Sequence, residues 1–262
     1  MSQESPANQY GAEYLAGVMR RQTQHLEKVL HTDAHLPGCF DDVHLPAWLR
    51  RTEGEQRLPV SLTVAIAILL QIELPRRFAL QPRYLLPALE AALAGGLLAA
   101  NPQRINRESR VLRGASLVLI GIITVANTFS AFTLIQKLIN GTAGDNAGPL
   151  LATGAAIWGT NIIVFALWYW ELDRGGPAAR ARAQRAYPDF LFTQMQAPEM
   201  APPDWEPAFL DYLYLSFTNA TAFSPTDVMP LARWAKMTML TQSAVSIVAV
   251  ALVIARAVNV LR

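Results

Sequence analysis

One cysteine among 262 residues, Cys39, leaves no partner for an intramolecular disulfide. Charge is scarce as well. Lys, Arg, Asp and Glu make up 16% of the chain, against about 25% in ordinary soluble domains. The net charge of +2 is too small to argue for a nucleic-acid partner. There is no internal repeat, low-complexity tract, nucleotide-binding glycine loop, "HExxH" or nucleophile triad, so the pattern carries no enzyme signature. The opening "MSQESPANQYGAEYLAG" lacks a basic segment followed by an apolar one, and no cleavable signal peptide is expected. What fills the chain is apolar: 52% of residues, with a mean hydropathy of +0.21.

That apolar content is gathered into five runs: 58–74, 84–100, 115–135, 149–170 and 238–260. A bilayer span needs roughly 20 such residues. The last three runs meet this. The first two are short and carry Glu73, Pro87 and Glu90, and they read as a tight helical hairpin with "PRRFALQPR" at its tip. A soluble amphipathic hairpin is the alternative, but neither run has a clean polar face. The expected fold is all-α, a polytopic membrane protein of five spans plus one re-entrant helix. Its parts are a polar tail (1–57, helical near 10–30), a three-helix region (58–148) and a C-terminal module (149–262). The loop "ELDRGGPAARARAQRAYP" is expected to be exposed, and Trp168, Tyr169 and Trp170 to form an interfacial aromatic belt.

Thirteen Lys and Arg flank one set of span ends, among them Arg50, Arg57, Arg104, Arg113, Arg174, Arg180 and Arg233, against six at the other. The positive-inside rule then puts the N-terminus in the cytoplasm of a plasma (inner) membrane.

The stretch "SFTNATAFSPTDVMP" (216–230) is polar yet precedes a long apolar run. The segment before it, 207–222, would as a helix cover roughly 24 Å, against a hydrocarbon core of about 30 Å, and Pro225 and Pro230 stop it from continuing. A half-crossing helix followed by a polar return is a re-entrant loop, which survives at membrane depth only where protein or water satisfies its backbone. "LSFTNATAFSPTDVMPLARWAK" resembles the pore-loop region of two-helix potassium channels. Ser216, Ala220, Thr221, Asp227, Pro230 and Trp234 match that motif, and the likeness covers about 155–260. The whole chain also resembles bacterial membrane proteins of five spans. The resemblance implies an outer helix, a pore helix, an inner helix and a homotetramer. Where the family filter reads Thr-Val-Gly-Tyr-Gly, this chain has Ala222, Phe223, Ser224, Pro225 and Thr226. Without the glycines, and with Pro225 fixing its own φ, the carbonyl cage of a potassium filter is not expected. The implied function is a weakly selective pore for small cations, lined by Thr218, Asn219, Thr221, Ser224, Thr226 and Asp227. The charge count places the loop on the cytoplasmic side, inverted as in ionotropic glutamate receptors. A non-conducting scaffold or partner subunit is the alternative.

Other residues carry their own readings. His31, His35 and Cys39 are four apart and of zinc-binding type, but Pro37 and Gly38 interrupt the helix that would align them; an incidental polar tail is the competing reading. Glu90, a carboxylate inside an apolar run, is a proton or cation site for a transporter, or an interfacial residue of a tilted span. Asn127, Thr128, Ser130 and Asn161 read as bonds between helices. The expected partners are the lipid bilayer, small cations and further copies of the chain.

This topology predicts that, with Cys39 removed, a cysteine placed in 140–148 is labelled by a membrane-impermeant maleimide from outside, and one in 174–182 only after permeabilisation. The opposite pattern reverses the orientation.

Overall fold

The computed structural model describes residues 46–100, 103–105, 109–143, 146–221 and 227–260. The tail with His31, His35 and Cys39 therefore lies outside the described residues, as do Ser224 and Thr226. Strand β1 (Glu55–Gln56) leads into α1 (Leu58–Glu73), and α2 (Leu85–Ala100) returns to β2 (Arg104–Ile105). The strands pair antiparallel, so the two ends of this helical hairpin are tied together. Its tip packs Leu74 and Phe78 against Leu134, Leu138 and Leu150 of the next two helices, α3 (Arg110–Ile139) and α4 (Ala147–Leu172). Short elements follow: α5 (Pro177–Ala181), β3 (Phe190–Phe192) and α6 (Thr193–Gln196). Then come α7 (Phe209–Thr221), β4 (Val228–Pro230), which pairs antiparallel with β3, and α8 (Arg233–Val260).

Three helices, α3, α4 and α8, are long and apolar enough to cross a membrane. The expected count of five is corrected here: α1 and α2 have 16 residues each, about 24 Å of helix, short of the roughly 30 Å hydrocarbon core. The outer faces are apolar. Leu58, Leu62, Ile66 and Leu69 form an exposed stripe on α1, Val111, Val118, Val125 and Phe132 are exposed on α3, and Leu240, Ile247 and Ile254 on α8. Buried Asn127, Ser130, Thr160, Asn161, Gln242 and Ser246 lie inside. Apolar residues outside and polar ones within suit lipid as the surrounding solvent. Helices α4 and α8 approach closely because Gly154 has no side chain: a Cβ there would lie 2.8 Å from a Val253 methyl.

At the end where α1, α3 and α8 begin and α4 finishes, a cap of short elements covers the bundle. The stretch after α4, expected to be exposed, is exposed mainly in its second part, 182–187; its first part, 171–181, is mostly buried. Asp173 accepts from the Tyr212 hydroxyl at 2.6 Å and from the Asp189 backbone N–H at 2.9 Å. Arg180 donates to the carbonyls of Trp170 (2.6 Å) and Asp173 (3.0 Å), lies over the Tyr212 ring and pairs with Glu55 at 3.8 Å. Arg174 sits at a positive φ of 50°, a region disfavoured for side chains other than glycine. It is held there by its N–H on Asp189 (2.8 Å) and its guanidinium on the Trp48 carbonyl (2.6 Å). The adjoining Gly176, at φ 98°, supplies a turn that a Cβ would block by approaching the Glu171 carbonyl to 3.0 Å. The sequence reads as Gly/Pro/Arg punctuation; Arg174 and Arg180 are inside because carboxylates and carbonyls from other segments meet them, while Arg182 and Arg185 stay exposed.

The aromatic trio is corrected for the same reason. Trp168 is half-buried, while Tyr169 and Trp170 point into the protein. Trp170 donates to Glu55 at 2.7 Å, and the same carboxylate accepts the Phe209 N–H that opens α7. Burial pushes the Glu55 carboxyl up from its ordinary value, with Arg180 and these two donors pulling against it.

Breaking a buried ion pair by removing one partner costs about 3–5 kcal/mol. Arg180→Met is expected to destabilise by that amount in a reversible unfolding titration in mixed micelles. Tyr212→Phe, which removes one bond to Asp173, is expected to cost about 1.5–3 kcal/mol. Equal and small losses would show that the cap is not cooperative.

Candidate functional site

Helix α7 spans 13 residues, about 20 Å, and it starts in the cap beside Glu55 and Trp170. From there it runs inward. Ser216 donates to the Ile162 carbonyl at 2.7 Å, a point about 15 Å in from the Leu172 end of α4. Phe217 meets Trp158 edge-on. The chain is back at the cap by β4. Asp227 accepts from the Tyr214 hydroxyl at 2.8 Å, and its carbonyl accepts from Thr193 Oγ1 at 2.7 Å. Entry and return thus lie at the same end of the bundle, the arginine-rich one.

Gln242 of α8 holds the inward part of α7. Its Nε2 donates to the Ser216 carbonyl (2.9 Å) and Oγ (2.7 Å). Its Oε1 accepts from Asn219 Nδ2 (2.8 Å) and from the Tyr169 hydroxyl (2.6 Å). Asn219 also donates to the Met239 carbonyl at 3.0 Å, and its own oxygens accept from Ser243. One helical turn beyond Gln242, Ser246 accepts from Asn161 Nδ2 at 3.2 Å, and the Asn161 oxygen lies 3.5 Å from Asn127 Nδ2. The result is a polar seam through α3, α4, α7 and α8.

The residues named from sequence are divided by this geometry. Asn219 is turned into the protein and bonded to α8. Thr218 is half-buried and Thr221 exposed, with hydroxyls returned to carbonyls of their own helix. Together with Leu210, Tyr214 and Phe217, Thr221 lies on the outward face of α7. Asp227 is exposed beside that face. Thr128 is exposed, and Ser130 bonds back to the Ala126 carbonyl of its own helix. Glu90 belongs to the α1–α2 hairpin. It is 0% exposed, its Oε2 accepts from Gln71 Nε2 at 3.0 Å, and its Oε1 has no hydrogen-bond partner among the described residues. No group of three metal-binding side chains occurs among the described residues.

The holding residues Gln242, Ser243 and Ser246 were not singled out from sequence, and Tyr169 was read as part of an interfacial belt rather than as a holding residue. A usable signal was present: Gln242 and Ser246 stand four apart inside an apolar run, and polar side chains so placed face a bundle interior.

Comparisons with protein families, with curated proteins and with solved structures find no match for this chain.

Hydrogen bonds between membrane helices average about 0.6 kcal/mol each. Gln242→Leu, which removes four, is expected to cost about 2–3 kcal/mol in the same unfolding assay, while Ser246→Ala costs about 0.6 kcal/mol. An Asn219→Ala, Gln242→Leu cycle should be non-additive, because the two amides share a bond.

Proposed function

We propose that this chain is the subunit of a channel-like membrane assembly. In it α4 is the outer helix, α7 the re-entrant helix and α8 the inner helix, and the loop enters from the cytoplasmic side. The observation that carries the reading is the course of α7: it enters from the cap, is fastened deep in the bundle by Gln242, and the chain returns to the same end at Asp227. A polar backbone at that depth needs either protein or a water-filled passage beside it. Within one chain, the inward face of α7 is satisfied by α4 and α8. Its other face, with Leu210, Tyr214, Phe217 and Thr221, is left outward, as is much of α8. Copies of the chain meeting across these faces, four by resemblance to the potassium channels, would enclose the loop around an axis.

Hydroxyls and a ring of Asp227 carboxylates at such an axis favour small cations without distinguishing strongly between sodium and potassium, because a glycine-built carbonyl cage is missing from the sequence. Asn219 belongs to the supporting wall in this reading. The α1–α2 hairpin lies in the same bilayer beside α3 and α4, its 16-residue helices too short to cross without local thinning. A second reading, a non-conducting scaffold, is favoured by one feature: the buried polar side chains of α7, Ser216 and Asn219, are both bonded within a single chain.

The test is oligomer mass in lipid nanodiscs together with flux in proteoliposomes. The expected result is a tetramer that passes sodium and potassium at comparable rates and excludes chloride. Asp227→Asn should reduce cation preference while Tyr214→Phe, which breaks the same bond, leaves preference unchanged. If both variants lose only stability, Asp227 is a brace. A monomer or dimer without flux across a range of voltages and pH selects the scaffold.

A further inference from the structure

A cleft opens between α1, α2, α3, α4 and the start of α5, at the arginine-rich end of the bundle and away from α7. Its walls are aliphatic, with Val60, Val64, Leu97, Leu119, Ile120 and Leu167 facing in. Its polar groups are Arg57, Arg113, Glu171 and the hydroxyls of Ser61, Ser109 and Ser116. Two helix N-termini converge on it. Arg57 is the N-cap of α1 and Ser109 the N-cap of α3, and neither side chain caps its own helix. Uncapped N–H groups and the positive end of the helix dipole make such positions receptive to an anion.

The second observation is Arg57 itself. It is 9% exposed, lines the cleft, and its Nε is buried with no hydrogen-bond partner among the described residues. A guanidinium carries five donors in a fork suited to phosphate, and leaving one buried and unmatched is costly. Arg113 reaches Glu171 only at 4.0 Å, with its side chain 44% exposed. One carboxylate against two guanidiniums leaves a single positive charge, which a phosphodiester monoanion would neutralise.

We infer that this cleft binds the phosphate of an anionic phospholipid, with Arg57 and Arg113 on its oxygens. Its volume, counted as room for the centre of a water-sized sphere, is about 80 Å³, against roughly 10–15 Å³ on that measure for one water, so a headgroup phosphate enters and the acyl chains stay outside. An apolar surface adjoins it. A second, open groove shares Ser61 with the cleft; Leu58, Leu62 and Leu98 line it, all exposed on the lipid-facing side of the hairpin, with Gln56, Gln103 and Arg104 at its polar part. Trp170, at the cap end of α4, lines the cleft beside Glu171. The aliphatic walls of the cleft and the exposed leucines of the adjoining groove favour a lipid over a free anion, which would gain nothing from them. The site is independent of any conduction through the α7 loop.

Native mass spectrometry of the full-length protein, released from bilayers of equal phosphatidylglycerol and phosphatidylcholine, tests this. The expected result is phosphatidylglycerol retained in preference, at one molecule per chain, with retention lowered about tenfold in Arg57→Gln. Because Arg57→Gln could disturb the start of α1, Arg113→Gln at its half-exposed position serves as the second variant and should show the same direction. Excess inorganic phosphate should fail to displace the lipid. Equal retention of both lipids, unchanged retention in a folded Arg113→Gln protein, or displacement by inorganic phosphate would each overturn the proposal.

Discussion

A helix that stops partway through a bundle has no lipid-water boundary to fix its end, so something inside the protein must. Here that is the Gln242 amide. Its two polar atoms make four bonds, to Ser216, Asn219 and Tyr169, and so tie α7 to α8 and α4 at one point. In a low-dielectric interior a primary amide is tolerated only when both ends are matched, and the geometry matches them. The inward face of α7 is thereby committed to support, and the outward face is left to whatever adjoins the chain.

The cap does the complementary task at the other end of α7. Glu55 accepts the N–H of Phe209, Asp173 accepts the hydroxyl of Tyr212, and Arg180 links the two residues through the Glu55 carboxylate and the Asp173 backbone carbonyl. Such a cluster is weak evidence for stability in itself, since desolvating the ions offsets much of their attraction. Its value is positional: segments far apart in sequence, near 55, 173–180, 189 and 209–212, are brought into one register. The start of α7 is set by charge and its deeper part by amides, and the polar return follows from both, with the Tyr214–Asp227 bond holding β4 close.

Several features were legible before any coordinates. The long apolar runs became α3, α4 and α8 because a 20-residue apolar segment has few alternatives to a helix in lipid. The hairpin was visible from the two shorter runs, and the short helix α7 from the apolar segment 207–222. Other readings failed for a common reason. The run "WYWELDRGGPAARAR" looks like a membrane boundary followed by an exposed loop, since aromatics and arginines usually mark one. Tyr169, Trp170, Arg174 and Arg180 are interior because Glu55, Trp48, Asp189 and Gln242 reach them across the fold. Asn219 was read as facing a passage on the strength of its neighbours, and only its partner on α8 reveals the opposite direction.

Composition and periodicity therefore determined the class of protein, the helices and the end of the bundle that carries the arginines, because these depend on local hydrophobicity and on chain length against membrane thickness. Which polar side chains face inward, and which pair satisfies which, depends on groups more than a hundred residues apart, as with Trp170 and Glu55. Local pattern holds no record of such pairings. The cost of an unmatched polar group in a dry interior selects them, and that cost exists only once the helices have packed.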